Sequence, residues 1–217
     1  MRPRSEQYTK LQVPGLPGVY FRDMPLDLGG RALKVLTASA VDLLGAKHPG
    51  EIPYWCVAWP AGIALARLLA GMKLQGARLL EIGCGVGIGG LGAAVSGAEV
   101  LLTDNQPASL RVAMMNARRN DLPLRAAAAD WRQWPLRERF ELVVGSDVTY
   151  QPAAAGALLS VLDAALEPGG EALLTDPGRL TTQAFESEAV RAGWSWQREE
   201  LPREGAQAVF LYRLRRA

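Results

Sequence analysis

The hydrophobic positions of this chain change their spacing at residue 78. Before it, the pattern is irregular and rich in Pro and Gly. Residues 13–23 read as a small hairpin. Residues 32–44 place apolar side chains at 33, 36, 40, 41, 43 and 44, a recurrence that predicts a helix. An aromatic segment, Pro53-Tyr54-Trp55 to Trp59-Pro60, leads into a helix over 61–71, with Pro60 near the first turn, where a missing N–H costs little. From residue 78 short apolar runs alternate with helical periodicity. Strands are expected at 78–83, 99–103, 124–129, 140–146 and 171–175, with helices at 87–96, 107–120, 153–166 and 181–192. Two last strands, 195–201 and 206–213, flank Pro202-Arg203-Glu204-Gly205. This predicts an α/β fold: a Rossmann-like, seven-stranded, mostly parallel sheet with helices on both faces and the last strand antiparallel. Residues 1–50 form an N-terminal extension packed on a domain spanning 51–217.

In such a sheet ligands bind at the carboxyl ends of the strands, where strand order reverses. Those ends carry Gly83, Asp104, Asp130, Asp147 and Asp176. Buried carboxylates are costly without partners, so their repetition along one rim points to a polar ligand.

The first strand end is the richest. Leu79-Leu80-Glu81-Ile82-Gly83-Cys84-Gly85-Val86-Gly87 runs from strand through a glycine turn into a helix. Such a turn lets the backbone approach a ligand and presents helix N-terminal N–H groups. Two registers fit. Gly85 to Gly90 matches G-x-G-x-x-G, the dinucleotide fingerprint. From Glu81, with Gly83, Gly85 and Gly87, the segment reads E-x-G-x-G-x-G, the pattern of S-adenosylmethionine sites. The strand ending at Gly83 favours the second. Asp104, seventeen residues after Gly87, can accept from both hydroxyls of a ribose or cap the helix that starts at Pro107.

Composition narrows the classes. The chain has 217 residues, is 49% hydrophobic and has a net charge of +2, which suits one domain and gives no nucleic-acid footprint. No apolar run reaches the roughly eighteen residues of a membrane span, and the N-terminus lacks a secretory h-region. With one histidine, His48, and two cysteines, Cys56 and Cys84, neither a zinc site of ordinary spacing nor a disulfide framework is expected. A cytoplasmic location fits.

Residues 54 to about 179 resemble the class I, seven-β-strand S-adenosylmethionine methyltransferases, and within them the protein-lysine branch that includes the electron-transfer-flavoprotein β-subunit enzymes. The resemblance rests on Glu81 to Gly87, on Asp104, on Ser146-Asp147-Val148-Thr149-Tyr150 as an Asp-x-x-Tyr motif, on the Trp55–Trp59 segment, and on Asp176-Pro177-Gly178-Arg179. It implies S-adenosyl-L-methionine as cofactor and a protein lysine as acceptor. Gly83, Gly85 and Gly87 would pass near the methionyl group, and Asp104, with Asn105 beside it, would bind the ribose. Asp130 would accept from the adenine amino group, with Trp131 beside the base; Trp59, Glu81 and Ser146 complete the implied cofactor set. Asp147 would orient the amine and Tyr150 wall its channel. The bland readings are a strand-ending Asp130, rim packing for Trp131 and Tyr150, core packing for Trp55 and Trp59, and an Arg179 that only pairs with Asp176. A small-molecule N-acceptor and, more distantly, a nicotinamide-dependent oxidoreductase are the competing functions.

Overall fold

The computed structural model describes residues 19–45, 52–204 and 207–216. The elements are β1 (Phe21–Leu28), β2 (Arg31–Ala38), α1 (Ala40–Gly45), α2 (Pro60–Ala70), β3 (Arg78–Ile82), α3 (Ile88–Val95), β4 (Glu99–Asp104), α4 (Pro107–Arg119), β5 (Leu124–Ala128), β6 (Phe140–Ser146), α5 (Ala155–Ala165), β7 (Leu166–Asp176), α6 (Leu180–Arg191), β8 (Trp194–Glu204) and β9 (Gln207–Arg216).

Seven strands form one sheet in the order β5-β4-β3-β6-β7-β9-β8. The ladders from β5 to β7 are parallel, and β9 runs antiparallel to both β7 and β8. The fold agrees with the expected mostly parallel sheet. Strand order reverses between β3 and β6, so the rim above that pair is where ligands bind in sheets of this kind. Successive residues of the central strands feed opposite layers. Leu79, Val100, Leu102 and Val144 join the core under α2, α3 and α4. Leu80, Leu101 and Val143 join the core under α5 and α6. Burial on both faces explains why these strands read as unbroken apolar runs.

β7 starts earlier than expected. Phe140 pairs with Leu166, the register then shifts, and Leu142 pairs with Glu171. The Glu167-Pro168-Gly169-Gly170 turn is therefore an irregularity within one long strand.

The N-terminal region departs further. Residues 32–44 are not one helix: β2 occupies most of the segment, and only its last residues, from Ala40, belong to the short helix α1. β2 pairs antiparallel with β1 through a turn at Gly29-Gly30. Both glycines have positive φ, 64° and 94°, as a two-residue turn matching the twist of its strands requires. The hairpin thus lies C-terminal to the expected 13–23, of which 13–18 fall outside the described residues. Leu33, Val35, Leu36 and Thr37 are buried, and stiff β-branched side chains at 35 and 37 suit a strand. No helix of the described residues is long and apolar enough to cross a membrane.

Candidate active site

A cleft of about 1020 Å³ lies at the carboxyl ends of β3, β4, β5 and β6. Of the residues singled out from sequence, Trp59, Gly83, Gly85, Asp104, Asn105, Asp130, Trp131, Ser146, Asp147 and Tyr150 line it. Glu81 and Gly87 do not. Arg179, Trp55, Tyr54 and Gln106 line it as well.

The loop after β3 is a run of left-handed turns, with φ of 59°, 53° and 81° at Gly83, Gly85 and Gly87. Gly85 also needs the space: a Cβ there would lie 2.9 Å from the Trp55 carbonyl oxygen. The loop is pegged from several sides. Asp104 accepts from the Gly85 N–H at 3.0 Å, Ser109 donates to the Gly85 carbonyl at 2.7 Å, and the Gly87 N–H reaches the Cys84 carbonyl at 2.7 Å.

Glu81 requires a correction. It lies beneath the loop, 1% exposed, and its Oε2 accepts the Gly90 N–H at 2.8 Å. Its carboxyl serves the start of α3 and stays out of the cleft. Burial pushes its pKa up to about 8, against the opposing hydrogen bonds from Gly90 and Gly89. This decides between the two glycine registers. The Gly89 and Gly90 N–H groups, which a pyrophosphate at the α3 terminus would meet, are already engaged by Glu81, and Gly83 and Gly85 before them line the cleft instead.

Asp104 is 6% exposed, and each oxygen takes one backbone N–H, Gly85 at Oδ2 and Gln106 at Oδ1, at 3.0 and 2.9 Å. Burial raises its pKa, while hydrogen bonds from Gln106, Gly85, the Ser109 hydroxyl and Asn105 oppose the rise. Asp130 is the more exposed carboxylate and is gripped by Arg132 through the backbone N–H, Nε and Nη2 at 2.9, 3.1 and 2.7 Å. Those bonds lower its pKa to about 2, so an adenine amino group would share an acceptor already in use. Trp131 leans across the loop: a Cβ on Gly83 would stand 3.2 Å from its Cζ2.

The far end of the cleft holds Asp147, Tyr150 and Arg179. Asp147 follows β6 with φ of 55°, a left-handed conformation rare outside glycine and one that Asp tolerates better than most residues. Its N–H bonds the Thr175 carbonyl at 2.8 Å. Arg179, just before α6, joins two carboxylates: its Nη1 lies 2.6 Å from Asp147 Oδ1 and 2.8 Å from Asp176 Oδ2. Asp176, 1% exposed, also accepts from the Gly178 and Arg179 N–H groups and from Thr149. Burial raises the Asp147 pKa, and Arg179 opposes the rise. Tyr150 and Tyr54, 50% and 51% exposed, stand at the opening. Trp59 is anchored by its Nε1–H to the Tyr54 carbonyl at 3.0 Å.

Residues 51–184 match the model of a family described as lysine methyltransferase. The chain belongs to that family. This sets aside the dinucleotide alternative. The chain is 32% identical over 147 residues to the electron transfer flavoprotein beta subunit lysine methyltransferase of Danio rerio, an alignment covering 66% of this chain and 56% of the relative. It is 28% identical over 159 residues to the histone-arginine methyltransferase METTL23 of Homo sapiens, covering 69% and 84%. The chain thus spans about half the length of the flavoprotein-directed relatives it matches. Among solved structures, the 16S rRNA N2 G1207 methyltransferase RsmC of T. Thermophilus superposes with a TM-score of 0.63 over 94% of this chain and 52% of that one, at 22% identity. That likeness concerns the fold.

Proposed function

We propose that this protein is an S-adenosyl-L-methionine-dependent methyltransferase that methylates a lysine side chain of a protein. The observation that carries the reading is the placement of the glycine loop and Asp104 in one cleft with the Asp147–Arg179 pair.

The residues suit that cofactor. A loop without room for side chains, a ribose-competent carboxylate, an indole and an already engaged helix terminus fit a nucleoside carrying a cation better than one carrying phosphates. When bound, S-adenosylmethionine supplies an electrophilic methyl group on a sulfonium sulfur. Asp104, with Asn105 at its side, would hold the ribose hydroxyls, and Trp131 the face of the base. Alignment of nucleophile, carbon and leaving group is the chief work left to the protein, and positioning of this kind is worth about 7–11 kcal/mol.

Charge favours an amine acceptor. Asp147 and Asp176 carry two negative charges against the single positive charge of Arg179, which leaves a net negative charge at the acceptor end. Asp176 is too buried to meet a substrate, so Asp147 is the carboxylate that an incoming ammonium would reach. A guanidinium acceptor, as in the arginine-directed relative, would compete with Arg179 for the same two carboxylates. The amine must release its proton to solvent through the open cleft before attack; desolvation against Tyr150 favours that loss, while the Asp147 charge orients the ammonium and opposes it. The exposed Tyr54 and Tyr150 leave the cleft open, as a side chain delivered by a protein requires.

The test is transfer of tritiated methyl groups into extract from a strain lacking the gene, followed by amino-acid analysis of the labelled band. Label recovered as methyl-lysine is expected. Label confined to low-mass compounds, or recovered as methylarginine, would overturn the acceptor assignment.

A further inference from the structure

Asn116 on α4 is fully buried, and its side-chain amide joins three backbone groups from two distant segments. Oδ1 accepts the Leu36 N–H at 2.7 Å, while Nδ2 donates to the Leu36 carbonyl at 3.1 Å and to the Val86 carbonyl at 3.0 Å. The two Leu36 groups fix which end of the amide is nitrogen. One turn later Asn120 repeats the pattern on Lys34, accepting its N–H at 2.9 Å and donating to its carbonyl at 3.0 Å. Residues 34 and 36 expose the same edge of β2, away from β1. Two amides four residues apart on a helix therefore complete that edge as a surrogate strand. Only Asn116 also reaches the glycine loop.

Val86 is not held alone. Ser109 lies seven residues before Asn116, about two helical turns, and is also fully buried. It holds the preceding carbonyl, Gly85, at 2.7 Å. Consecutive carbonyls of the loop are thus pegged by one face of α4, with the Gly85 N–H pegged from β4 by Asp104. Turning either peptide would leave buried donors and acceptors unpaired.

We propose that Asn116 is a positioning residue for the glycine loop, and that through it the N-terminal hairpin is part of the cofactor site. The inference rests on the adenosylmethionine reading of the cleft. Its consequence is reciprocal: a ligand that needs the loop in this shape stabilises the hairpin edge, and damage to that edge at Asn116 weakens the ligand.

The probe is S-adenosylhomocysteine, titrated by calorimetry into the full chain. Asn116→Ala is expected to weaken binding by about tenfold or more, whereas Asn120→Ala, which opens the same hairpin edge without touching the loop, stays within about twofold of the parent. Ser109→Ala is expected to fall on the Asn116 side. A purely structural Asn116 would lower the melting temperature of both asparagine variants and leave their affinities equal, which would overturn the proposal. Should Asn116→Ala fail to fold, hydrogen exchange on the unaltered protein decides: the ligand is expected to slow exchange at the Leu36 amide, and an unchanged rate there would reject the coupling. If the unaltered protein does not bind the probe at all, it is the adenosylmethionine reading that fails.

Discussion

Asp147, just after β6, and Arg179, just before α6, meet at 2.6 Å in the wall of the cleft. The same guanidinium nitrogen holds the buried Asp176 at 2.8 Å. Two sequence motifs are therefore one charged unit. Arg179 opposes the pKa rise that burial imposes on Asp147, and it ties that carboxylate to the end of β7.

Removing the guanidinium tests this unit. In Arg179→Met, Asp147 and Asp176 lose their counter-charge. A broken, fully buried pair costs about 3–5 kcal/mol. Here Arg179 is 38% exposed and Asp176 keeps its bonds to Thr149 and two N–H groups, so the expected loss is about 1–3 kcal/mol. The sign with pH follows from the folded-state pKa of Asp147, already above 3.8 and set to climb further without Arg179. The native state then binds more protons than the unfolded chain, so the variant loses stability as pH rises through that window. Denaturant melts at pH 5 and pH 8 check it: the deficit is expected to be smaller at pH 5, and equal deficits would contradict the account.

Asp147→Asn separates acceptor chemistry from cofactor binding. Asn tolerates the left-handed backbone at this position, so the fold is expected to hold. Turnover is expected to drop by about a hundredfold or more, while S-adenosylhomocysteine affinity stays within about threefold. Parallel losses in both would move Asp147 into the cofactor pocket.

The parallel sheet was legible because β3, β4 and β6 are buried on both faces and so read as continuous apolar runs ending in Gly or Asp. The hairpin was misread because the apolar spacing of 32–44 happens to satisfy a helical period. The available counter-signal was Gly29-Gly30 between Leu28 and Arg31, a two-residue hairpin turn. Most of the cleft could be named because strand ends converge on one rim. What could not be read was side-chain direction. Glu81 faces α3 rather than the ligand, a consequence of its place on the pleat. The bond from Arg179 to Asp147 and the bonds from Asn116 to Leu36 and Val86 join residues whose proximity exists only after folding.

Glu81 makes stability depend on pH in the physiological range. Its folded-state pKa is about 8, raised by burial from 4.5. The native state therefore holds a proton that the unfolded chain has released. The contribution of Glu81 to stability is fully present below about 4.5, declines as pH rises toward 8, and is lost above it. Glu81→Gln keeps an oxygen for the Gly90 N–H and removes the titration. Calorimetric melting temperatures between pH 5 and pH 9 are expected to fall for the parent and to stay flatter for the variant. Parallel curves would mean that Glu81 is ionised in the folded protein across this range.

The last prediction concerns how closely the Trp55 segment is pressed on the glycine loop. Gly85 and Gly76 both have positive φ, 53° and 75°, but they differ in surroundings: a Cβ on Gly85 would lie 2.9 Å from the Trp55 carbonyl oxygen, whereas a Cβ on Gly76 meets nothing within 4 Å. Alanine at Gly76 therefore incurs only the left-handed backbone cost of about 1–2 kcal/mol. Alanine at Gly85 incurs the same cost and must also push Trp55 or the loop away. The expected result is a larger loss of stability for Gly85→Ala than for Gly76→Ala, with weakened S-adenosylhomocysteine binding in the first variant alone. Because the contact is with backbone, no side-chain rotation relieves it. Equal melting temperatures and equal affinities in the two variants would show that the segment yields freely, and that Trp55 is not held against the loop in the way the structure places it.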